Sequence, residues 1–159
     1  MNTSVFREGV LVGLAGAVVV AVWFLVYDIA SGAAFRTPAL LGSVLFEHLR
    51  DPDALVITTR PVLEYTLVHG IVFIAFGIAA AGLFSIADRA RAMLLGIFML
   101  FCCFEVAFLA ATSVVSEVLS RAFHPGAVLG ANALASVVML SMLFRNHRRS
   151  PSELLTADG

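Results

Sequence analysis

Three polar residues stand inside long apolar runs of this 159-residue chain: His69, Glu105 and Asn132. Tyr65 precedes His69 by one helical turn, and Ser136 follows Asn132 by one turn, so each pair shares a helix face. A charge at membrane depth costs several kcal/mol unless a partner or water meets it. Glu105 therefore needs a neighbour, and His69 is the candidate. The two can take up and release protons, or form part of a ligand site. The simpler role is a fastener: Glu105 bonds His69, Asn132 caps the pair, and the network sets helix rotation. Interhelical hydrogen bonds in lipid average only about 0.6 kcal/mol, so such a network specifies register more than it stabilises.

Sharper chemistry finds too few residues. A haem between two histidines needs a second deep one, and His48, His124 and His147 sit near or beyond the ends of the apolar runs. A pair of His69 residues across a homodimer would supply it. His69 with Glu105 is short of a zinc ligand set. No C-x-x-C, G-x-S-x-G, H-E-x-x-H or P-loop pattern occurs. Cys102 and Cys103 are adjacent in an apolar run, which suits packing better than a disulfide. Asp28 falls at the end of an apolar run and Asp88 in a loop, too shallow for a membrane aspartic protease. The reading is that the chain is not an enzyme and needs no cofactor or metal.

The elements that must position these residues follow from composition. Hydrophobic residues make up 60% of the chain and charged ones 13%, and the mean hydropathy is +0.98. A soluble domain carries roughly a quarter charged residues. Four segments, at about 9–27, 62–87, 92–115 and 126–144, reach the roughly 20 residues that a spanning helix needs. Their apolar residues run continuously, which excludes a β-barrel, and only a helix satisfies its own backbone in lipid. The expected fold is all-α: one four-helix transmembrane bundle over 1–149, with a short polar tail at 150–159. The first run is too long for a signal-peptide core and is read as a retained helix.

Every basic residue is an arginine, which excludes lysine Schiff-base chemistry. A net charge of −1 and the lack of a basic stripe exclude a nucleic-acid partner. With four spans, Arg7, Arg89, Arg91, Arg145, Arg148 and Arg149 share one side, against Arg36, Arg50, Arg60 and Arg121 on the other. The positive-inside rule then puts both termini in the cytoplasm and the protein in the inner membrane. Trp23, Tyr27 and Tyr65 fall near the outer ends of their spans, as interfacial aromatics do.

In the first loop, Thr37-Pro38 reads as a helix start with Thr37 as the cap. A helix over about 38–50 would place Leu40, Leu41, Val44, Leu45 and Leu49 on one face. Ser43, Glu47 and Arg50 take the other, which makes it a short amphipathic helix lying at the outer surface or tucked into the bundle mouth. In the first span Gly9, Gly13, Ala17 and Ala21 recur every fourth residue, and Gly126 and Gly130 do the same in the last. Such grooves let helices approach closely, within one chain or in a homo-oligomer or larger complex.

The segments Trp23 to Asp28 (W-F-L-V-Y-D), Arg36 to Gly42 (R-T-P-A-L-L-G) and Tyr65 to Gly70 (Y-T-L-V-H-G) give the chain a pattern that resembles small bacterial four-span membrane proteins of no assigned activity. The resemblance spans the full length and implies the bundle, not a function. The sequence reading is an accessory or assembly component. The rivals are a small proton-coupled transporter or ligand-binding protein using His69 and Glu105, and a haem- or quinone-binding redox subunit.

Overall fold

Helix α1, Thr3–Ala30, contains no proline and ends where Gly32 allows a turn. Gly32 has φ +82°, the Ala33 N–H reaches back to the Asp28 carbonyl at 3.0 Å, and the Gly32 N–H reaches Ile29 at 3.0 Å. This is a Schellman stop, in which glycine takes the left-handed position. The structure is a computed structural model that describes residues 3–86, Gly96 and residues 125–149. The expected third span at 92–115, with Glu105, Cys102 and Cys103, and the tail at 150–159 lie outside the described residues.

After the turn come helix α2, Arg36–Glu47, a short 3-10 turn at Pro52–Ala54, and helix α3, Thr59–Ile86. Helix α4, Pro125–Arg149, completes the described elements. Three of the four described α-helices, α1, α3 and α4, are long and apolar enough to cross a membrane. Their outward faces are apolar too: Leu67 is 68% exposed and Val137 64%. Such faces would associate in water but match a hydrocarbon solvent. The chain is thus a helical membrane protein. The first span extends beyond the expected 9–27 at both ends, with Arg7, Glu8 and Asp28 inside the helix, and the second begins earlier than 62, at Thr59, with Arg60 in its first turn. Arg60 and Glu64 pair at 2.9 Å, one turn apart, at the exposed start of α3.

The core lies along α1, which packs on α3 on one side and on α4 on the other. Val12, Ala17 and Val20 of α1 meet Phe73, Ala80, Ala81 and Phe84 of α3 and Ala131, Ala135, Met139 and Leu143 of α4. Gly9 and Gly13 lie against the backbone of Gly77, Ile78, Phe73 and Ile74, so α1 and α3 touch main chain to main chain. Added Cβ atoms would run into those backbones. Gly16 is filled by the Met139 and Phe73 side chains.

The contacts fix direction. Trp23, near the end of α1, touches Gly130 near the start of α4, and Gly16 touches Met139 further along, so α4 runs antiparallel to α1. Gly9 meets Gly77, and Ala17 meets His69, so α3 is antiparallel to α1 as well. Phe84 and Phe144 stack edge to face at 5.3 Å, and α3 and α4 consequently run parallel and finish at the same end.

Helix α2 differs from its sequence reading in two respects. It starts at Arg36 and ends at Glu47, not at 38–50, because His48 adopts a left-handed conformation (φ 57°) and its N–H closes on the Ser43 carbonyl. Its covered face is Thr37, Ala39, Leu40, Gly42 and Ser43, while Leu45 is exposed. The small residues decide this: Gly42 seats directly on Pro61 at the start of α3, an approach a larger side chain forbids. Of the leucine face Leu40 is buried, Leu41, Val44 and Leu49 are half-buried, and Leu45 is exposed.

Candidate functional site

The tight glycine crossing at one end of α1 and α3 has a consequence at the other. Beyond Ala17 the glycine-to-backbone contacts end, and Ala21, Leu25 and Asp28 of α1 and His69, Tyr65 and Val62 of α3 border a gap. The gap is a cavity of about 280 Å³ between α1, α3 and the α2 corner. Val18, Ala21, Val22, Phe24 and Leu25 form one wall. Val62, Tyr65, Thr66 and His69 form the other, and Phe35, Thr37 and Pro38 close the top with Asp28. Val18, Val22 and Thr66 are exposed, so the cavity opens sideways, toward the hydrocarbon.

Asp28 closes the top by a clasp. Its carboxylate is 3% exposed and accepts the Thr37 backbone N–H at 2.7 Å through Oδ2 and the Thr37 hydroxyl at 2.7 Å through Oδ1. Helix α2 thereby receives its capping carboxylate from the end of α1. The expectation that Thr37 caps its own helix is corrected: Phe35 holds the cap position (φ 63°) without a side-chain bond, and the Thr37 hydroxyl donates to Asp28. Sequence reasoning treated Asp28 only as a span end. An acidic residue nine positions before a Thr-Pro helix start was the available signal.

On the α3 wall, Tyr65, His69 and Phe73 form an aromatic ladder at one-turn spacing. Tyr65 and His69 stack with centroids 5.7 Å apart and 30° between planes, and His69 and Phe73 lie 4.6 Å apart at 46°. His69 Nε2 lies 3.3 Å from the Ala17 carbonyl oxygen. A carbonyl only accepts, so Nε2 carries the proton and Nδ1 the lone pair. Thr66 donates to the Val62 carbonyl at 2.6 Å, and its hydroxyl is occupied within its own helix.

The structure brings together part of the expected polar cluster. Tyr65 and His69 are in contact and line the cavity; Asn132 and Ser136 are on α4 and do not line it. Among the described residues neither Asn132 nor Ser136 makes a side-chain hydrogen bond, and the Ser136 hydroxyl is buried without a partner. Glu105, the expected partner of His69, lies outside the described residues. The described contacts of the His69 ring are the Ala17 carbonyl, Tyr65 and Phe73.

The small-residue stripes divide likewise. Gly9, Gly13 and Ala17 are buried against neighbours within the chain, whereas Ala21 is exposed and forms cavity wall. Gly130 seats the Trp23 ring, and the indole N–H donates to the Ala127 carbonyl at 2.9 Å. Trp23 was expected only as an interfacial anchor; it also straps α1 to α4. A Cβ on Gly126 would meet nothing.

Among the described residues no three histidine, cysteine or acidic side chains come close enough to hold a metal ion. Comparison with protein-family models, with curated proteins and with solved structures finds no match to this chain.

Proposed function

We propose that the chain is a four-span accessory protein of the inner membrane, with both termini cytoplasmic, that acts by binding an apolar membrane-resident molecule without chemistry of its own. The observation that carries this reading is the cavity between α1, α2 and α3: apolar-walled, open to the side, and held in shape by the Asp28–Thr37 clasp. A cavity reached from the hydrocarbon selects ligands that already partition there.

The fourth span rests on direction. Because α3 and α4 are parallel, the connection over 87–124 leaves one end of the bundle and arrives at the other. That supports a further crossing by the apolar run at 92–115. The arginine bias then puts the cavity in the outer half of the bilayer, with α2 at the outer surface.

Organic extraction of the purified protein, followed by mass spectrometry, tests the reading. Wild type is expected to carry an apolar molecule in stoichiometric amount. Ala21→Phe, which fills the cavity from its α1 wall, is expected to lose it while keeping its helical circular dichroism. Equal amounts in a folded Ala21→Phe protein, or none in either, reject the proposal.

A further inference from the structure

The lining of the cavity narrows its ligand to one chemical class, an inference that rests on the binding role just proposed. Among the described residues no arginine, lysine or glutamate lines the walls, and both oxygens of Asp28, the one carboxylate among them, are taken by Thr37. An ionic headgroup of either sign would enter without a counter-charge. The ligand is therefore neutral where it meets the α3 wall.

That wall offers one donor and one flat surface. The Tyr65 hydroxyl is the donor: among the described residues it has no hydrogen-bond partner, whereas the hydroxyls of Thr37 and Thr66 and the His69 Nε2 are each engaged within the chain. The rings of Tyr65 and His69, 30° apart, make the flat surface, while Phe73 lies beyond it in the core. A planar ring stacks on such a ladder at ordinary aromatic spacing, and a carbonyl on that ring would accept from Tyr65. Tyr65 and His69 stand about 9 and 15 Å along α3 from its start at Thr59, taking 1.5 Å per residue. A headgroup there sits below the membrane surface, which suits a neutral ring and not a phospholipid headgroup. A volume of about 280 Å³ is at the lower edge of ordinary ligand sites, which run to roughly 300–1,000 Å³. It holds a single substituted ring and the start of a tail, with the remaining tail leaving between Val18, Val22 and Thr66 into the bilayer; a haem is too large.

We propose that the cavity binds the ring of a membrane quinone, or a compound of that class with a flat carbonyl-bearing ring and an apolar tail, stacked beside Tyr65 and His69 with a carbonyl on the Tyr65 hydroxyl. The proposal concerns binding, with no electron transfer assigned to the chain.

Trp23 is the sole tryptophan of the sequence and flanks two residues of the cavity wall, Val22 and Phe24, so its emission reports a nearby quinone. The protein in lipid nanodiscs is titrated with decylubiquinone, and with palmitic acid as an aliphatic control. Saturable quenching by decylubiquinone is expected, with palmitic acid failing to displace it. Tyr65→Phe, which removes one hydroxyl and keeps the ring, is expected to weaken binding about fivefold, the loss of one hydrogen bond. Ala21→Phe is expected to abolish it. Unchanged affinity in Tyr65→Phe overturns the carbonyl contact and with it the proposal. Equal competition by palmitic acid also overturns it, while leaving an aliphatic-chain site and the broader binding role standing. Binding of neither molecule, together with empty organic extracts, removes both.

Discussion

Asp28 and Thr37 are joined at both oxygens of the carboxylate, one bonded to the backbone N–H and one to the hydroxyl, each at 2.7 Å. The clasp closes a nine-residue excursion that contains the Gly32 turn and the left-handed Phe35, and it orients α2 over the cavity. A carboxylate accepting two bonds at a buried helix start is strongly held, because the donors have no alternative partner in an apolar corner.

Removing the carboxylate should therefore cost more than removing the hydroxyl. Asp28→Ala strands the Thr37 N–H and hydroxyl together, with an expected loss of about 2–3 kcal/mol. Thr37→Val keeps the backbone bond and should lose about 1 kcal/mol. The double variant should be no less stable than Asp28→Ala alone, since both changes remove the same hydroxyl contact. Reversible unfolding in mixed detergent micelles measures all three. Equal stability of wild type and Asp28→Ala would show that the clasp holds nothing.

The three long helices were legible in the sequence because length and continuous apolarity dictate them, whatever they pack against. The short helix was legible from Thr37-Pro38, but its covered face was not. Periodicity groups the leucines on one face and Ser43 on the other, whereas the covered face mixes Leu40 with the small Ala39, Gly42 and Ser43, because Gly42 seats on Pro61. The cavity was illegible for a related reason. It lies beyond the Gly13–Gly77 contact, between two helices, and is a property of the pair that neither spacing pattern contains. Tyr65 and His69 were found from their polarity in an apolar run. Asp28 was missed because a charge at a span end has an ordinary explanation in the headgroups.

The same crossing yields a prediction about assembly. Gly13 and Gly77 are in backbone contact inside one chain, so Gly13→Leu or Gly77→Leu must push α1 from α3. Either change is expected to destabilise by more than about 3 kcal/mol, the range of overpacked cores. Gly126→Ala, where an added Cβ meets open space, should be neutral or stabilising by up to about 1 kcal/mol through helix propensity. Thermal unfolding with size-exclusion chromatography and light scattering separates this from a stripe used between copies. If Gly13→Leu changed the oligomeric state and left stability alone, the contact would belong to an interface and not to this fold.

Ser136 offers a test of whether the α4 polar residues belong to a network. Its hydroxyl is buried, next in sequence to the core residue Ala135 and about one turn before Met139, and it has no hydrogen-bond partner. A serine in a membrane helix commonly bonds its own backbone, as Ser141 does to Val138 at 2.8 Å and Ser85 to Gly82 at 2.7 Å. Ser136 does neither, and a buried hydroxyl without a partner costs about 1–3 kcal/mol. Replacing it by alanine removes that cost and leaves a void of only one oxygen atom. Ser136→Ala should accordingly raise stability by about 1 kcal/mol and leave ligand binding at Tyr65 and His69 unchanged. The network reading, in which Ser136 supports Asn132 and the His69–Glu105 pair, predicts the opposite sign. A destabilised Ser136→Ala protein would restore that network and make the α4 residues part of the site.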